Sequence, residues 1–291
     1  MTKKISIVMA YYNRKEQLRT TFGSLLKSAY SNWELIIVDD VSDDDQRAKD
    51  IFSQKEKRKY NIKIINIDSA QRTWTNPCIC YNMGIKKASG DIIVLQNPEC
   101  MHVGDVLSFV VDNLDKKDWM SFNCYGSPYY KMNKEISKLS APEIYQRIER
   151  IPFRIGGNSV MRDDVGGWLN HYEKHFVAYH YCGAIHRKEL MSDMGGGFNE
   201  KFKNALGTDD DEFIKRLIYN KFNFTIAPHT PTTPFVFHQY HEKPDHIKQC
   251  DPQTTRHIFD EACIKMGMVP ENNIHVAPIK ETPMGHRILI V

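Results

Sequence analysis

Apolar residues fall into short β-branched blocks separated by stretches of helical period. Ile5 to Met9 is the first block, and Leu18, Phe22, Leu25, Leu26 and Ala29 then recur on one face of a segment running from Arg14 to Ala29. The pattern predicts a strand and then a helix, with Asn13 and Glu16 spaced as a capping pair. Trp33 to Val38 predicts a second buried strand, Gln46 to Lys59 a charged, solvent-facing helix, and Ile62 to Ile67 a third strand. A helix over Pro77 to Ala88 closes at Ser89-Gly90 and leads into a fourth strand, Asp91 to Leu95. This alternation predicts an α/β fold built on an open, mostly parallel sheet with helices on both faces. Such sheets bind ligands beyond the carboxyl ends of their strands, here Ala10 to Arg14, Asp39 to Asp43 and Gln96 to His102.

After about residue 150 the pattern loosens. Gly156-Gly157, Gly166-Gly167 and Gly195-Gly196-Gly197 punctuate a stretch rich in His, Tyr and Trp that reads as loops. A helix returns at Asp209 to Asn220, a strand follows at Phe222 to Ala227, and Thr255 to Met266 predicts a last helix. With no internal repeat, the 291 residues parse as one domain with a C-terminal extension.

Charge and cysteine usage narrow the function classes. The 39 Lys+Arg against 36 Asp+Glu leave a formal charge of +3, unlike the strongly basic domain of a dedicated nucleic-acid binder. Seven cysteines, an odd number without a C-x-x-C pair, point to a reducing compartment. The run from Ile5 to Ala10 is too short for a secretory core, and no run approaches the ~20 apolar residues of a membrane span. The expectation is a soluble, cytoplasmic protein, with contact at a membrane surface still open.

Four groups of residues carry candidate chemistry. Asp39-Asp40 ends a strand, where two carboxylates must be solvated or paired; an exposed turn is the other meaning of the pair. Asn97-Pro98-Glu99 follows the fourth strand with His102 nearby, an amide and a carboxylate that can share one ion or one ribose. Alone they are too few for Mg²⁺ or Mn²⁺, which takes further ligands from substrate phosphates. Thr208 to Glu212 opens a helix with four acids, partly explained by the helix dipole. Crowded carboxylates also hinder one another's ionisation, as a general base near neutral pH requires. His229, His238, His241 and His246 match no standard zinc spacing, and hydrogen-bonded or exposed histidines are the plainer reading of any one of them.

In joint order, Ser6 to Arg14 (SIVMAYYNR), Trp33 to Asp43 (WELIIVDDVSD) and Tyr81 to Asp91 (YNMGIKKASGD) resemble the opening of the family 2 glycosyltransferases. Cys182 to Arg187, Gly196 to Phe202 and Asp209 to Arg216 resemble that family's acceptor half, with its G-G-F-D-E-x-F run and E-D-x-E/D-F-x-x-R helix. The resemblance covers about residues 5 to 227. It implies a GT-A fold, with a nucleotide-sugar-binding half at 1–105, an acceptor half at 106–227 and an extension at 228–291. It also implies inverting transfer of a sugar, by default uridine diphosphate-linked, to a hydroxyl of a glycan, glycolipid or glycoprotein during surface polysaccharide or glycoprotein assembly on the cytosolic side.

Carried over by position, Ala10 and Tyr12 line the nucleotide base, Asp39 hydrogen-bonds it and Asp40 neighbours the ribose. Gln71 and Arg72 stand where the family often contacts the base. The family's D-x-D falls on Asn97-Pro98-Glu99, so the first acid is an amide and Glu99 takes the metal-ligand position for Mn²⁺ or Mg²⁺. His238 is the candidate third ligand or diphosphate contact. Asp210 matches the general base, Asp209 stands where glutamate is usual, and Arg216 is placed to pair with acids or phosphate. The Gly195 to Phe202 loop, with Gly196, Gly197 and Phe198, shapes the acceptor side. Two other readings share parts of this pattern. A nucleotidyltransferase would carry a glycine-rich loop after the first strand, which Ala10 to Arg14 lacks. A noncatalytic sugar-nucleotide or glycan-binding module would explain Asn97 but not the acids at 209–212.

Overall fold

The computed structural model describes residues 2–156, 166–242, 252–270, 277–282 and 285–289. Its first strands are β1 (Ile5–Tyr11), β2 (Trp33–Asp39), β3 (Ile62–Asn66) and β4 (Ile92–Gln96), and they pair in parallel in the order β3-β2-β1-β4. Both faces of β1, β2 and β4 are buried, while the edge strand β3 is only partly covered. On β1, Ile5, Ile7, Met9 and Tyr11 enter one core while Val8 enters the other, which is why the strand reads as a continuous apolar block. Helix α1 (Lys15–Leu25) covers the first face through Leu18, Phe22 and Leu25. Short α2 (Gln54–Lys59) precedes β3, and α3 (Cys78–Lys87) covers the second face through Tyr81 and Ile85.

Two local expectations are corrected. Asn13 does not cap α1: it sits at φ +49, its amide donates to Asp43, and its side-chain oxygen accepts from the Asp43 backbone. The charged stretch from Gln46 to Lys59 is not one helix. Two 3-10 turns at 44–46 and 48–50 precede α2, because the chain is drawn inward by Ala48 and Phe52, both buried.

Beyond β4 the chain builds a second sheet. It comprises β5 (Cys100–Val103), β7 (Cys124–Gly126), β8 (Gly167–Asn170) and β11 (Phe235–His238), in the order β5-β11-β7-β8. Helix α4 (Val106–Asn113) follows β5, and α5 (Tyr130–Ile136) with α6 (Ala141–Glu149) packs Met132, Ile136, Ile144 and Ile148 against this sheet's Trp168, Phe235 and Phe237. The main sheet meanwhile gains β6 (Asp118–Ser121), β9 (Cys182–His186), β10 (Asn223–Ile226), and the hairpin β12 (Ala277–Thr282) with β13 (Gly285–Leu289).

The region read as loops after residue 150 therefore holds a central strand. β9 runs antiparallel between β4 and β6, followed by α7 (Arg187–Ser192), and Gly183 lies so close to Trp119 that a Cβ there would come within 2.3 Å of the ring. Helices α8 (Asp209–Tyr219) and α9 (Pro252–Lys265) complete the second face, α8 through Phe213, Ile214 and Leu217. Because β9 is reversed, Cys182 lies beside Gln96 at the carboxyl end of β4, and Tyr179 to Tyr181 lie along the same edge.

Candidate active site

At the carboxyl ends of β1 and β2 the chain forms a polar pocket wall. Ala10 is half-buried there, and the Arg72 guanidinium lies 5.7 Å from the centre of the Tyr12 ring. Asp40 Oδ1 accepts from Trp74 Nε1 at 3.0 Å and lies 3.1 Å from Arg72 Nε. Burial pushes the Asp40 carboxyl up, against the pull of Arg72 and Trp74. Asp39 is buried, and its two oxygens accept the backbone N–H groups of Ser42 and Ala48, so it shapes the loop after β2. Gln71 is exposed in the turn before Arg72.

Glu99 follows β4 and is buried between two histidines. The antiparallel register of β11 on β5 sets His238 opposite Cys100, next to Glu99, and the turn after β11 returns His241 to the same point. Glu99 Oε1 lies 3.4 Å from His238 Nε2 and 3.3 Å from His241 Nε2, and the three ligand atoms fall within 4.8 Å of one another. Buried Gln239 fixes this turn, bonding the Glu99 carbonyl and the Gln17 carbonyl of α1. His241 Nδ1 lies 3.0 Å from the Glu242 carbonyl, which can only accept, so Nδ1 carries the hydrogen and Nε2 turns its lone pair toward Glu99. Burial holds His241 below the usual imidazole range.

A carboxylate and an imidazole lone pair meeting in a buried space repel unless a cation lies between them. One carboxylate and two nitrogen ligands, with an outer hydrogen bond orienting one imidazole, fit a divalent metal ion of the first transition row. Asn97, two residues before Glu99, accepts from the Tyr81 hydroxyl at 2.8 Å, and its backbone N–H donates to Tyr181.

The four acids opening α8 have separate partners. Asp211 accepts from the Tyr179 hydroxyl at 2.5 Å, and Glu212 receives the Arg216 Nε at 2.9 Å. Asp209 accepts the Gly207 backbone N–H at 3.3 Å; burial and the neighbouring Asp210 push its carboxyl up to about 6. Asp210 is partly exposed and lies 2.6 Å from His180 Nδ1. Arg216 also donates to the carbonyls of Met194 and Gly197, tying the glycine loop to α8. Gly196 and Gly197 have φ values of +85° and +148°, and a Cβ at Gly197 would strike Asn82. The Phe198 ring turns inward, stacked on Phe213 at 4.8 Å and edge-on to His180.

Of the four histidines grouped by sequence, His238 and His241 join at Glu99. His229 lies apart with Glu149 and Trp168, and His246 lies outside the described residues. His102 is buried, its Nε2 2.9 Å from Gln96 Oε1, and does not join the Glu99 group. His180, Tyr81 and Trp74 were not singled out by sequence reasoning. His241 was grouped only as one of four histidines of no standard zinc spacing, and no local signal marked it as a partner of Glu99.

The architecture is that of the GT-A fold. The structure is similar to Staphylococcus aureus TarS residues 1–349 in complex with UDP-GlcNAc, with a TM-score of 0.59 and 13% identity, covering 90% of this chain and 66% of that one. It is also similar to GalNAc-T7 with UDP, GalNAc and Mn²⁺, with a TM-score of 0.58 and 12% identity, covering 90% of this chain and 48% of the other. Residues 6–167 match glycosyl transferase family 2, and the chain belongs to that family. Among its relatives is the Escherichia coli UDP-Glc:alpha-D-GlcNAc-diphosphoundecaprenol beta-1,3-glucosyltransferase WfgD. The two are 27% identical over 239 residues, 74% of this chain and 90% of WfgD. Among the described residues no helix is long and apolar enough to cross a membrane.

Proposed function

We propose that this glycosyltransferase moves a sugar from a uridine diphosphate sugar to a hydroxyl of a glycan or lipid-linked glycan, with inversion at the transferred carbon. The observation that carries this reading is the convergence of Glu99, His238 and His241 on one point at the sheet edge from which β1 and β2 present Tyr12 and Asp40. The names of WfgD, for UDP-Glc and a diphosphoundecaprenol-linked sugar, and of the TarS complex with UDP-GlcNAc support the donor and acceptor classes. Polysaccharide assembly at a membrane face fits those names as the setting.

In this mechanism Tyr12, Asp40 and Arg72 receive the nucleoside, Asp39 supports them from the loop after β2 rather than contacting the base as its sequence position implied, and Asn97 offers its amide to the ribose. Glu99, His238 and His241 would hold Mn²⁺ or Mg²⁺, which when bound supplies Lewis-acid neutralisation of the departing diphosphate. Asp210 takes the proton from the acceptor hydroxyl as it attacks, while Gly196, Gly197 and the loop anchored by Arg216 shape the acceptor side. Asp209, less acidic, stands behind Asp210. General-base catalysis is worth about 10²–10⁴-fold. Asp210→Asn is therefore expected to lose about that factor in turnover and to retain donor binding; near-normal transfer by this variant would refute the assignment of the base. Donor and ion are read together by thermal unfolding with UDP-sugars, with and without Mn²⁺. A ligand at 100 times its Kd raises stability by ~2.7 kcal/mol, and no Mn²⁺-dependent rise with any UDP-sugar would overturn the donor reading.

A further inference from the structure

Asp210 has a partner that no motif supplies. The segment Tyr179-His180-Tyr181 enters β9 along the carboxyl edge of the sheet and distributes its side chains over the site. Tyr179 bonds Asp211, His180 meets Asp210, and the Tyr181 ring packs edge-on against His238. The segment is held firmly. The Ala178 carbonyl accepts the buried Trp119 indole N–H at 2.7 Å, and the Tyr181 carbonyl accepts the Asn97 N–H. His180 is itself fixed between two rings, edge-on to Tyr81 at 4.8 Å and to Phe198 at 4.9 Å. Tyr81 in turn bonds Asn97, so one chain of contacts runs from the donor side to the acceptor side.

We propose that His180 is a positioning residue for the catalytic base: from its aromatic slot it presents Nδ1 to Asp210 Oδ1, fixing the carboxylate toward the acceptor and supplying a compensating positive charge. The inference rests on the reading of Asp210 as the base. Its physical motive is the crowding of acids on α8. Asp209 and Asp210 are adjacent carboxylates in a recessed site, and without a cation beside them each would favour protonation of the other. The groups facing His180 are Asp209 and Asp210 from α8, Glu99 from the end of β4 and the Tyr81 hydroxyl from α3, with Tyr179 and Tyr181 flanking it in the chain. Burial opposes the imidazolium, yet Asp210, 2.6 Å away, and then Asp209 act against burial and raise His180 above the usual imidazole range. Of the two cations on α8, Arg216 is committed to Glu212 and two loop carbonyls, and Lys215 is buried and acts on Asp211.

The test separates a charged positioning residue from a merely packed one. His180→Gln keeps an N–H donor of similar reach and removes the charge. Its kcat/KM at a pH below the wild-type acid limb is expected to fall about tenfold with the donor KM little changed. The acid limb of its pH profile is expected to move up by about one unit, equivalent to that tenfold factor, so that activity recovers as pH rises above the limb. A loss of the same size at every pH, or an unmoved limb, would overturn the proposal. A second measurement does not depend on that variant folding: imidazole ¹⁵N titration of His180 in the wild type and in Asp210→Asn. The titration midpoint of His180 is expected to drop by more than one unit in Asp210→Asn, and an unchanged midpoint would refute the pairing. If instead Asp210→Asn stays active while the midpoint drops, the base assignment fails and the pairing stands.

Discussion

Glu99 shows how much a single side chain asks of its surroundings. Its carboxylate is buried against two imidazoles, and a cation at their meeting point would turn mutual repulsion into coordination. Glu99→Gln and His241→Ala should each abolish the Mn²⁺-dependent part of the thermal shift given by a UDP-sugar, whereas His229→Ala should keep it, since His229 lies beside Glu149 and Trp168 instead. A shift that persists in both site variants would exclude this group as the metal centre. Glu99 was legible by counting from Gly90-Asp91. His241 was not: residues three apart face each other on a helix, not along a strand and turn, so its return to Glu99 depends on the turn that Gln239 anchors.

At the scale of elements, β1, β2 and β4 were legible because both their faces are buried and their apolar residues run together, and the partly covered edge strand β3 because its isoleucines cluster. β9 escaped notice for the opposite reason. It is 5 residues long and carries Gly183, which ordinarily weakens a strand, but here the missing side chain makes room for Trp119 of β6. Gly183→Ala should therefore overpack the junction of β9 and β6 and cost about 1–3 kcal/mol, measured by urea unfolding. A change under about 0.5 kcal/mol would mean that the Trp119 ring can withdraw. The second sheet was also hidden, since β7 and β11 span 3 and 4 residues, too few to display a period.

Across the whole molecule, buried titratable groups set the response to acid. Burial lowers His102 to about 3, His171 to about 4 and His229 to about 4, with nearby charge adding to the effect at His171 and His229. A histidine of the unfolded chain binds its proton near 6.5, so protons favour unfolding below that value. The stabilisation is complete above pH 6.5 and is lost as pH falls toward 4, at up to about 1.4 kcal/mol per pH unit for each group. Glu34 adds a lower step. Burial opposes its charge, but Lys63, Ser6, Ser89 and Lys4 outweigh burial and bring it to about 2, so its contribution is present above about 4.5 and lost below that. Tm should decline from pH 6.5 downward, most steeply between about 4.5 and 4 where Glu34 joins the three histidines; a flat Tm between pH 7 and 5 would contradict the burial of these histidines.

The sequence by itself determined the parallel half of the sheet, the helices packed on it, the order of the family's motifs and the acids opening α8. Each of these is written locally, in periodicity or in short runs. The tertiary structure alone decided which chemistry-bearing residues meet. Glu99 with His238 and His241 needs the register of β11 on β5, and Asp210 with His180 needs β9 reversed between β4 and β6. Those pairings join residues far apart in the chain. Their strength comes from burial and excluded water, which no short stretch of sequence records.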